Sequence, residues 1–597
     1  MEYPRLGALI TEDGTAFRVL APEASDVEIV FQRDRPSILL KPEGSGYHAV
    51  EGTDAPAGTL YRLRVDEGPL LPDPASRFQP DGVHGASMVV DPGDYAWGDD
   101  EWAGVEQANL VFYELHVGTF TSEGTFDGVL RLLRYLRDLG ITALELMPVA
   151  DFPGRRGWGY DPAALFAPSR AYGSPNALRR LVDEAHGVGL AVFLDVIYNH
   201  LGPDGAYVAA IAPMFTERHH TPWGKAINLD DKGSVGVRSL LIDNALHWLR
   251  EYHFDGLRLD ATHALIDASK QHFLAELAEA VERIDGPRRY LVAEDPRNIN
   301  RIVLPRAQGG YGMDAVWTDD FHHQVRNMTA GDIDGYYADY ASSSAHELAR
   351  SIEQGWYFDG RRSPTTGKPR GTDPSGISLY QCVICIQNHD QVGNRPLGNR
   401  LTEDIDLATY RAATALLLFS PELPLLFMGQ EWAASSPFQF FSDHNEELGR
   451  LVTEGRRKEF ESFPGFEGQV PDPQDAATFE ASRLQWHEVE RETHALTLNL
   501  YRDLLRARRD LDALTAVVAL SDSSVSVTRG RRKLLCALRP DIVRLPVDAE
   551  IVLHTEQEVY ASDPHPPEVE AGHVRFLRPG AMILRLPATM RNRSDGA

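Results

Sequence analysis

Asp260, Glu294 and Asp390 are the residues of this chain whose type and setting best suit chemistry. Each closes a short apolar run: Gly256-Leu-Arg-Leu-Asp260, Leu291-Val-Ala-Glu294 and Cys385-Ile-Gln-Asn-His-Asp390. A fourth run, Leu194-Asp-Val-Ile-Tyr-Asn-His200, ends in a histidine. Val, Ile and Leu passing straight into a charged residue is the pattern of a buried parallel strand whose C-terminal end opens onto a site. Three carboxylates delivered this way, with no serine or cysteine nucleophile motif beside them, point to glycosidic-bond cleavage. That reaction needs one carboxylate to attack or stabilise the developing oxocarbenium ion and one protonated carboxyl to donate to the leaving oxygen. Asp260 is the candidate nucleophile. Arg258, two residues earlier on the same side of the pleat, is expected to keep it ionised and in place. Glu294 is the candidate general acid, because desolvation beside Val292 and Ala293 raises a carboxyl toward neutrality. Asp390, flanked by His389, and His200 are expected to hold sugar hydroxyls.

For these residues to meet, the segments that carry them must close into one sheet. From about residue 109 strands alternate with helices. The strands are expected at 110–117, 143–149, 191–198, 256–260, 290–294, 315–318, 383–387 and 423–428, and eight of them with helices between predict a (β/α)8 TIM barrel. Val129, Leu132, Leu133, Leu136 and Leu139 share one helix face, with Gly140 as the stop. Ser174-Pro175 caps a second helix that buries Leu178, Leu181, Val182 and Ala185, and Leu241 to Tyr252 carry a third apolar stripe. Residues 1–95 alternate in short strands with Gly, Pro and Asp turns, the pattern of an N-terminal β-sandwich. The catalytic barrel is expected over 108–510 and a small C-terminal β-domain over 511–597. Asp91 to Gln107 reads as a linker. The Gly/Pro/Thr/Arg segment 359–376, between the sixth and seventh strands, reads as an aperiodic loop over the barrel mouth.

The formal charge of −28 argues against nucleic acid or an anionic membrane as a partner. Three cysteines in 597 residues cannot build a disulfide framework, so a reducing cytoplasm is expected. Cys382 and Cys385 spell C-x-x-C inside an apolar strand and read as a buried structural pair. The N-terminal residues carry no secretory pattern, and no apolar run reaches the ~18 residues of a membrane span. Asp319, Asp320, His322 and His323 do not converge naturally on one ion, so neither metal nor cofactor is expected. Glu454-Gly-Arg-Arg-Lys-Glu459 reads as a solvated charged segment. Core packing is the default for the tryptophans at 158, 223, 317, 356 and 432, with sugar platforms as the alternative.

Taken together, the four segments resemble the four signature regions of the α-amylase superfamily, glycoside hydrolase family 13. The resemblance implies a retaining mechanism through a covalent glycosyl-enzyme, with Asp260 as nucleophile, Glu294 as acid/base and Asp390 as transition-state stabiliser. It implies substrate contacts from Arg258, His200 and His389, and from Tyr160, which is similar to the family's stacking tyrosine. Asn199 matches a position that binds calcium in many amylases; a structural hydrogen-bonding role is expected here. Leu146 to Asp161, Asn199 to Gly205, Val316 to His323 and Met428 to Pro437 are similar to the branch that acts on maltooligosyltrehalose. That branch cuts the α-1,4 bond next to the terminal trehalose unit. The chain departs from general amylases after the nucleophile, where it reads Ala261-Thr-His-Ala264, and after Glu294, where it reads Asp295-Pro-Arg-Asn298. The resemblance makes His263, after the nucleophile, and Asp320, at a substrate-facing strand end, further substrate-binding candidates. The same resemblance implies a monomer with maltooligosyltrehalose synthase as its pathway partner. An α-glucan branching enzyme, which shares Tyr113-Glu-Leu-His-Val-Gly-Thr-Phe120, and a non-catalytic glucan-binding barrel are the rival readings.

Overall fold

Eight parallel strands close on themselves in the computed structural model, which describes residues 3–32, 35–461 and 470–587. They are β1 (Phe112–Leu115), β2 (Ala143–Leu146), β3 (Ala191–Val196), β4 (Gly256–Leu259), β5 (Tyr290–Glu294), β6 (Ala315–Trp317), β7 (Cys382–Cys385) and β8 (Leu423–Phe427). They neighbour one another in chain order, and β8 pairs with β1. All eight lie within or against the expected apolar runs. Strand residues alternate between barrel interior and helix layer. Phe112, Ala143, Ala191, Phe193, Tyr290, Val292, Ala315, Trp317, Val383, Cys385, Leu423 and Leu425 form an inner cluster distinct from the outer one. One step of two residues further along the same parity come Glu114, Glu145, Asp195, Arg258 and Glu294. The interior therefore changes from apolar to charged toward the C-terminal ends of the strands, and this is what places charge at the mouth.

The helices follow their caps. Ser174 Oγ accepts from the Ala177 N–H to start helix Pro175–Gly187, and Gly140 (φ 114°) ends helix Leu133–Leu139. The single helix expected across 129–139 is instead two pieces, Phe126–Leu130 and Leu133–Leu139. Leu132 leaves the helical basin between them (φ −102°, ψ 0°), and Val129 and Leu133 are both buried.

Two sheets before the barrel enclose Phe17, Val19, Val27, Ile29, Tyr61 and Leu63. This sandwich is docked on the barrel by a hydrogen bond from the Leu6 N–H to Asp243 (2.9 Å) and by Arg77 beside Glu251 (3.5 Å). After helix Glu492–Arg508, five- and three-stranded sheets bury Leu535, Val543, Val574, Phe576 and Leu584 between them. The last ten residues of the expected C-terminal domain lie outside the described residues.

Two connections are more structured than their sequence suggests. The stretch read as a linker is latched to the N-terminal end of the barrel: Trp97 stacks on His253 (3.7 Å between rings) and Trp102 on His186 (4.6 Å). The expected loop 359–376 contains an antiparallel pair, Asp359–Arg362 with Pro369–Gly371. Strands of four and three residues with a register shift leave no periodic signal to read, and side-chain bonds from Ser363, Thr365 and Arg370 to Asp339 hold the hairpin instead. Cys382 and Cys385, an odd number of residues apart, fall on opposite faces of β7, and both are buried and free. Among the described residues no helix is long and apolar enough to cross a membrane.

Candidate active site

Arg258 is the centre of the charged layer. It is fully buried, and its Nη1 donates to both oxygens of Asp195 (2.9 and 2.7 Å) and to Asp260 Oδ1 (2.9 Å). Its Nη2 lies 3.1 Å from Glu294 Oε2, and its plane sits 4.3 Å over Trp317. Three carboxylates thus share one guanidinium. Coulomb attraction in a dry site favours ionised carboxylates, whereas burial and mutual repulsion oppose them. Here burial wins. It lifts Asp260 to about 6 against the pull of Arg258, with Asp195 and Asp390 adding to the rise. It lifts Glu294 to about 7, with Asp260 and Asp390 again adding to the rise. Arg258 holds Asp260 in place as expected and opposes its rise without cancelling it. Both carboxyls are lifted together, so the pair exchanges a proton closer to neutral pH than free carboxylates do.

His389 and Asp390 enter from the short helix His389–Gly393, capped by Asn388. Glu114, from the end of β1, accepts from both the backbone N–H (2.8 Å) and the ring Nδ1 of His389. Burial disfavours the imidazolium, but Asp390 and Glu114 outweigh it and raise His389 to about 9. It is therefore a cationic donor with its Nε2 3.5 Å from Asp390. Tyr160 stacks on His389 (5.1 Å, 18°) and donates through its hydroxyl to Asp195 (2.5 Å).

These groups open into a cavity of about 820 Å³ at the C-terminal mouth of the barrel, large enough for several sugar rings by the usual range of ligand sites. Asp260, Glu294, Asp390, Tyr160, His200, His263 and His389 all line it. Two candidates do not. Arg258 lies beneath the carboxylates and touches them rather than the cavity. Asp320 is 1% exposed and accepts from the Tyr340 hydroxyl, the Asn298 amide and the Tyr357 N–H (2.9 Å). Strand parity explains the second correction: Ala315 and Trp317 face inward, so the next inward position is Asp319. Asp319 lines the cavity, and burial together with Glu294 lifts it to about 7. The same parity through Phe193 to Asp195 was available in the sequence and would have added Asp195.

Among the described residues no cluster of His, Cys, Asp and Glu could hold a metal ion. Asp319 and Asp320 diverge, and His323 donates back to the Asp319 carbonyl (2.7 Å). Asn199 is fully buried with neither amide atom bonded to a protein group, so the structural hydrogen bond expected of it is not made by protein atoms. Trp356 and Trp432 are core, and Trp317 lies inside the barrel, whereas Trp158 and the half-exposed Trp223 line the cavity. The segment 454–459 is only partly solvated. Arg456 packs over Phe440 (5.2 Å), donates to the Gly393 carbonyl (2.7 Å) and lines the cavity. Nothing local marks it; only the fold brings helix Glu446–Glu461 to the mouth.

Residues 84–220 match the alpha-amylase catalytic-domain family. A malto-oligosyltrehalose trehalohydrolase from Deinococcus radiodurans is 46% identical over 92% of this chain and 94% of its own length. One from Saccharolobus solfataricus is 41% identical over 84% and 87%. A crystal structure of an alpha-amylase candidate from Salmonella typhimurium superposes with a TM-score of 0.88 at 37% identity, covering 97% of this chain and 99% of the other.

Proposed function

Because the chain belongs to the malto-oligosyltrehalose trehalohydrolases of the α-amylase family, we propose that it hydrolyses the α-1,4 bond adjacent to the terminal trehalose unit of maltooligosyltrehalose. The products are trehalose and a maltooligosaccharide. The observation that supports this reading is the pair Asp260 and Glu294, held on one buried arginine and opening into the cavity at the barrel mouth. Asp260 attacks the anomeric carbon while Glu294 protonates the departing trehalose oxygen; Glu294 then takes a proton from water as that water hydrolyses the glycosyl-enzyme. Asp390 and the cationic His389 hold hydroxyls of the reacting sugar, and Tyr160 supplies an apolar face beneath it. Buried, unpaired cysteines agree with a cytoplasmic home. We further infer that the enzyme acts as a monomer on the product of a maltooligosyltrehalose synthase.

The test is to incubate the protein with maltotriosyltrehalose and, separately, with maltopentaose. Trehalose plus maltotriose from the first, with the second nearly untouched, is the expected result. Equal cutting of both would make it a general amylase-type hydrolase, and longer or branched products would make it a branching enzyme.

A further inference from the structure

Glu294 leaves β5 with its two carboxyl oxygens in unlike surroundings. Oε2 accepts from the Ala261 N–H (2.8 Å) and faces Arg258. Among the described residues no hydrogen bond reaches Oε1. The Ala261 N–H points at Oε2 because Ala261 occupies the left-handed region (φ 42°, ψ 52°), which a residue with a Cβ adopts only when its surroundings enforce it. The next residue, Thr262, is anchored. Its hydroxyl, 1% exposed as a residue, lies 2.9 Å from the Glu294 carbonyl and 3.0 Å from Asp295 Oδ2. Asp295 is equally buried and is gripped by Arg297 through Nε (2.8 Å), Nη2 (2.6 Å) and the backbone N–H (3.1 Å). The two residues after the nucleophile are therefore stapled to the strand end that carries the acid.

We propose that Thr262 and Asp295 are positioning residues for the acid/base: they lock the Ala261 N–H onto Glu294 Oε2, leaving Oε1 to carry the proton to the leaving group. The proposal rests on the reading of Glu294 as general acid. In the glycosylation step the Glu294 Oε1–H bond and the glycosidic C–O bond break. The proton passes to the trehalose oxygen, and Asp260 forms the new bond to the anomeric carbon. The charged groups facing the Glu294 carboxyl are Arg258 on β4, Asp260 just beyond it, Asp319 beyond β6 and Asp390 beyond β7. None of them is touched by a change at Thr262.

The experiment compares kcat/KM of wild type, Thr262→Val and Thr262→Ser on maltotriosyltrehalose and on α-maltotriosyl fluoride. Fluoride departs without a general acid, and kcat/KM on it reports glycosylation alone. Thr262→Val is expected to lose roughly 10²-fold on the trehaloside, the lower range of a general acid's contribution, and little on the fluoride. Its alkaline limb should move to higher pH, because the Glu294 carboxylate has lost a donor, and Thr262→Ser should restore both. Equal losses on the two substrates with the limb in place, or no loss at all, would overturn the proposal. Asp295→Asn makes the same comparison if the valine variant does not fold. Wild-type enzyme that splits the fluoride but releases no trehalose would instead overturn the reading of the function.

Discussion

The two ends of the barrel are built from the same residue types to opposite effect. At the N-terminal end, Asp99 accepts from His186 and His253 (2.9 Å each), and Asp255 accepts from His186 (2.9 Å) and the Trp102 indole (2.7 Å). Arg289 also lies 3.5 Å from Asp255, so both carboxylates face basic side chains. Burial alone would lift Asp99, yet the histidines hold it at about 2, and against burial Asp255 and Asp99 raise His186. At the C-terminal end Asp195, Asp260 and Glu294 compete for Arg258, and all three are lifted, to about 6, 6 and 7. Matched charges secure structure; a deficit of cations at the mouth leaves protons free to move at neutral pH. The two clusters differ in the ratio of carboxylates to cations, and on the proposed function that ratio separates a structural cluster from a catalytic one.

The largest expected effect comes from removing a reacting group. Asp260→Asn or Glu294→Gln should lower kcat by roughly 10³-fold or more with the fold intact, as loss of a member of a catalytic unit does; a loss under tenfold in a standard turnover assay would remove that residue from the role given to it. Arg258→Lys comes next. A point charge cannot donate to three carboxylates in the fork geometry of a guanidinium, and slight misplacement of the pair is expected to cost on the order of 10²-fold in kcat/KM. The acid limb of the pH profile should also shift upward as Asp260 loses its best donor.

The N-terminal cluster should respond in the other currency, stability. Asp255→Asn breaks a buried pair and is expected to destabilise by about 3–5 kcal/mol in denaturant unfolding while kcat stays near wild type. A fall in kcat without a fall in stability would erase the contrast between the two ends.

The smallest effect is in pH dependence. The proposed mechanism needs Asp260 ionised and Glu294 protonated, so kcat/KM should fall below about pH 6 and again above about pH 7. Both folded values are raised above the ordinary carboxylate range. The stability they contribute is fully present below the unfolded values and is lost as pH rises through about 6 to 7. Glu294→Gln, inactive, should therefore raise the unfolding temperature more at pH 8 than at pH 5. An equal change at both would show that Glu294 does not carry a raised value.

The barrel was legible because a strand buried on both faces is a continuous apolar run, and eight such runs stand where the strands do. Asp260, Glu294 and Asp390 were legible because each run passes directly into its carboxylate. Glu114, Asp195 and Asp319 were not, although the twofold alternation from Phe112, Phe193 and Trp317 points to each. That alternation favours Asp319 over Asp320 as the residue facing the cavity. Arg456 and the Trp97 and Trp102 latch depend on contacts between segments far apart in the chain, for which a single sequence carries no local signal.

The most direct test is to digest maltotriosyltrehalose in an NMR tube and read the anomeric proton of the first maltotriose released. The account predicts trehalose together with maltotriose that appears as the α-anomer and then mutarotates, the outcome of two displacements at one carbon through Asp260. Maltotriose appearing first as the β-anomer would mean a single displacement by water and would contradict the covalent role given to Asp260.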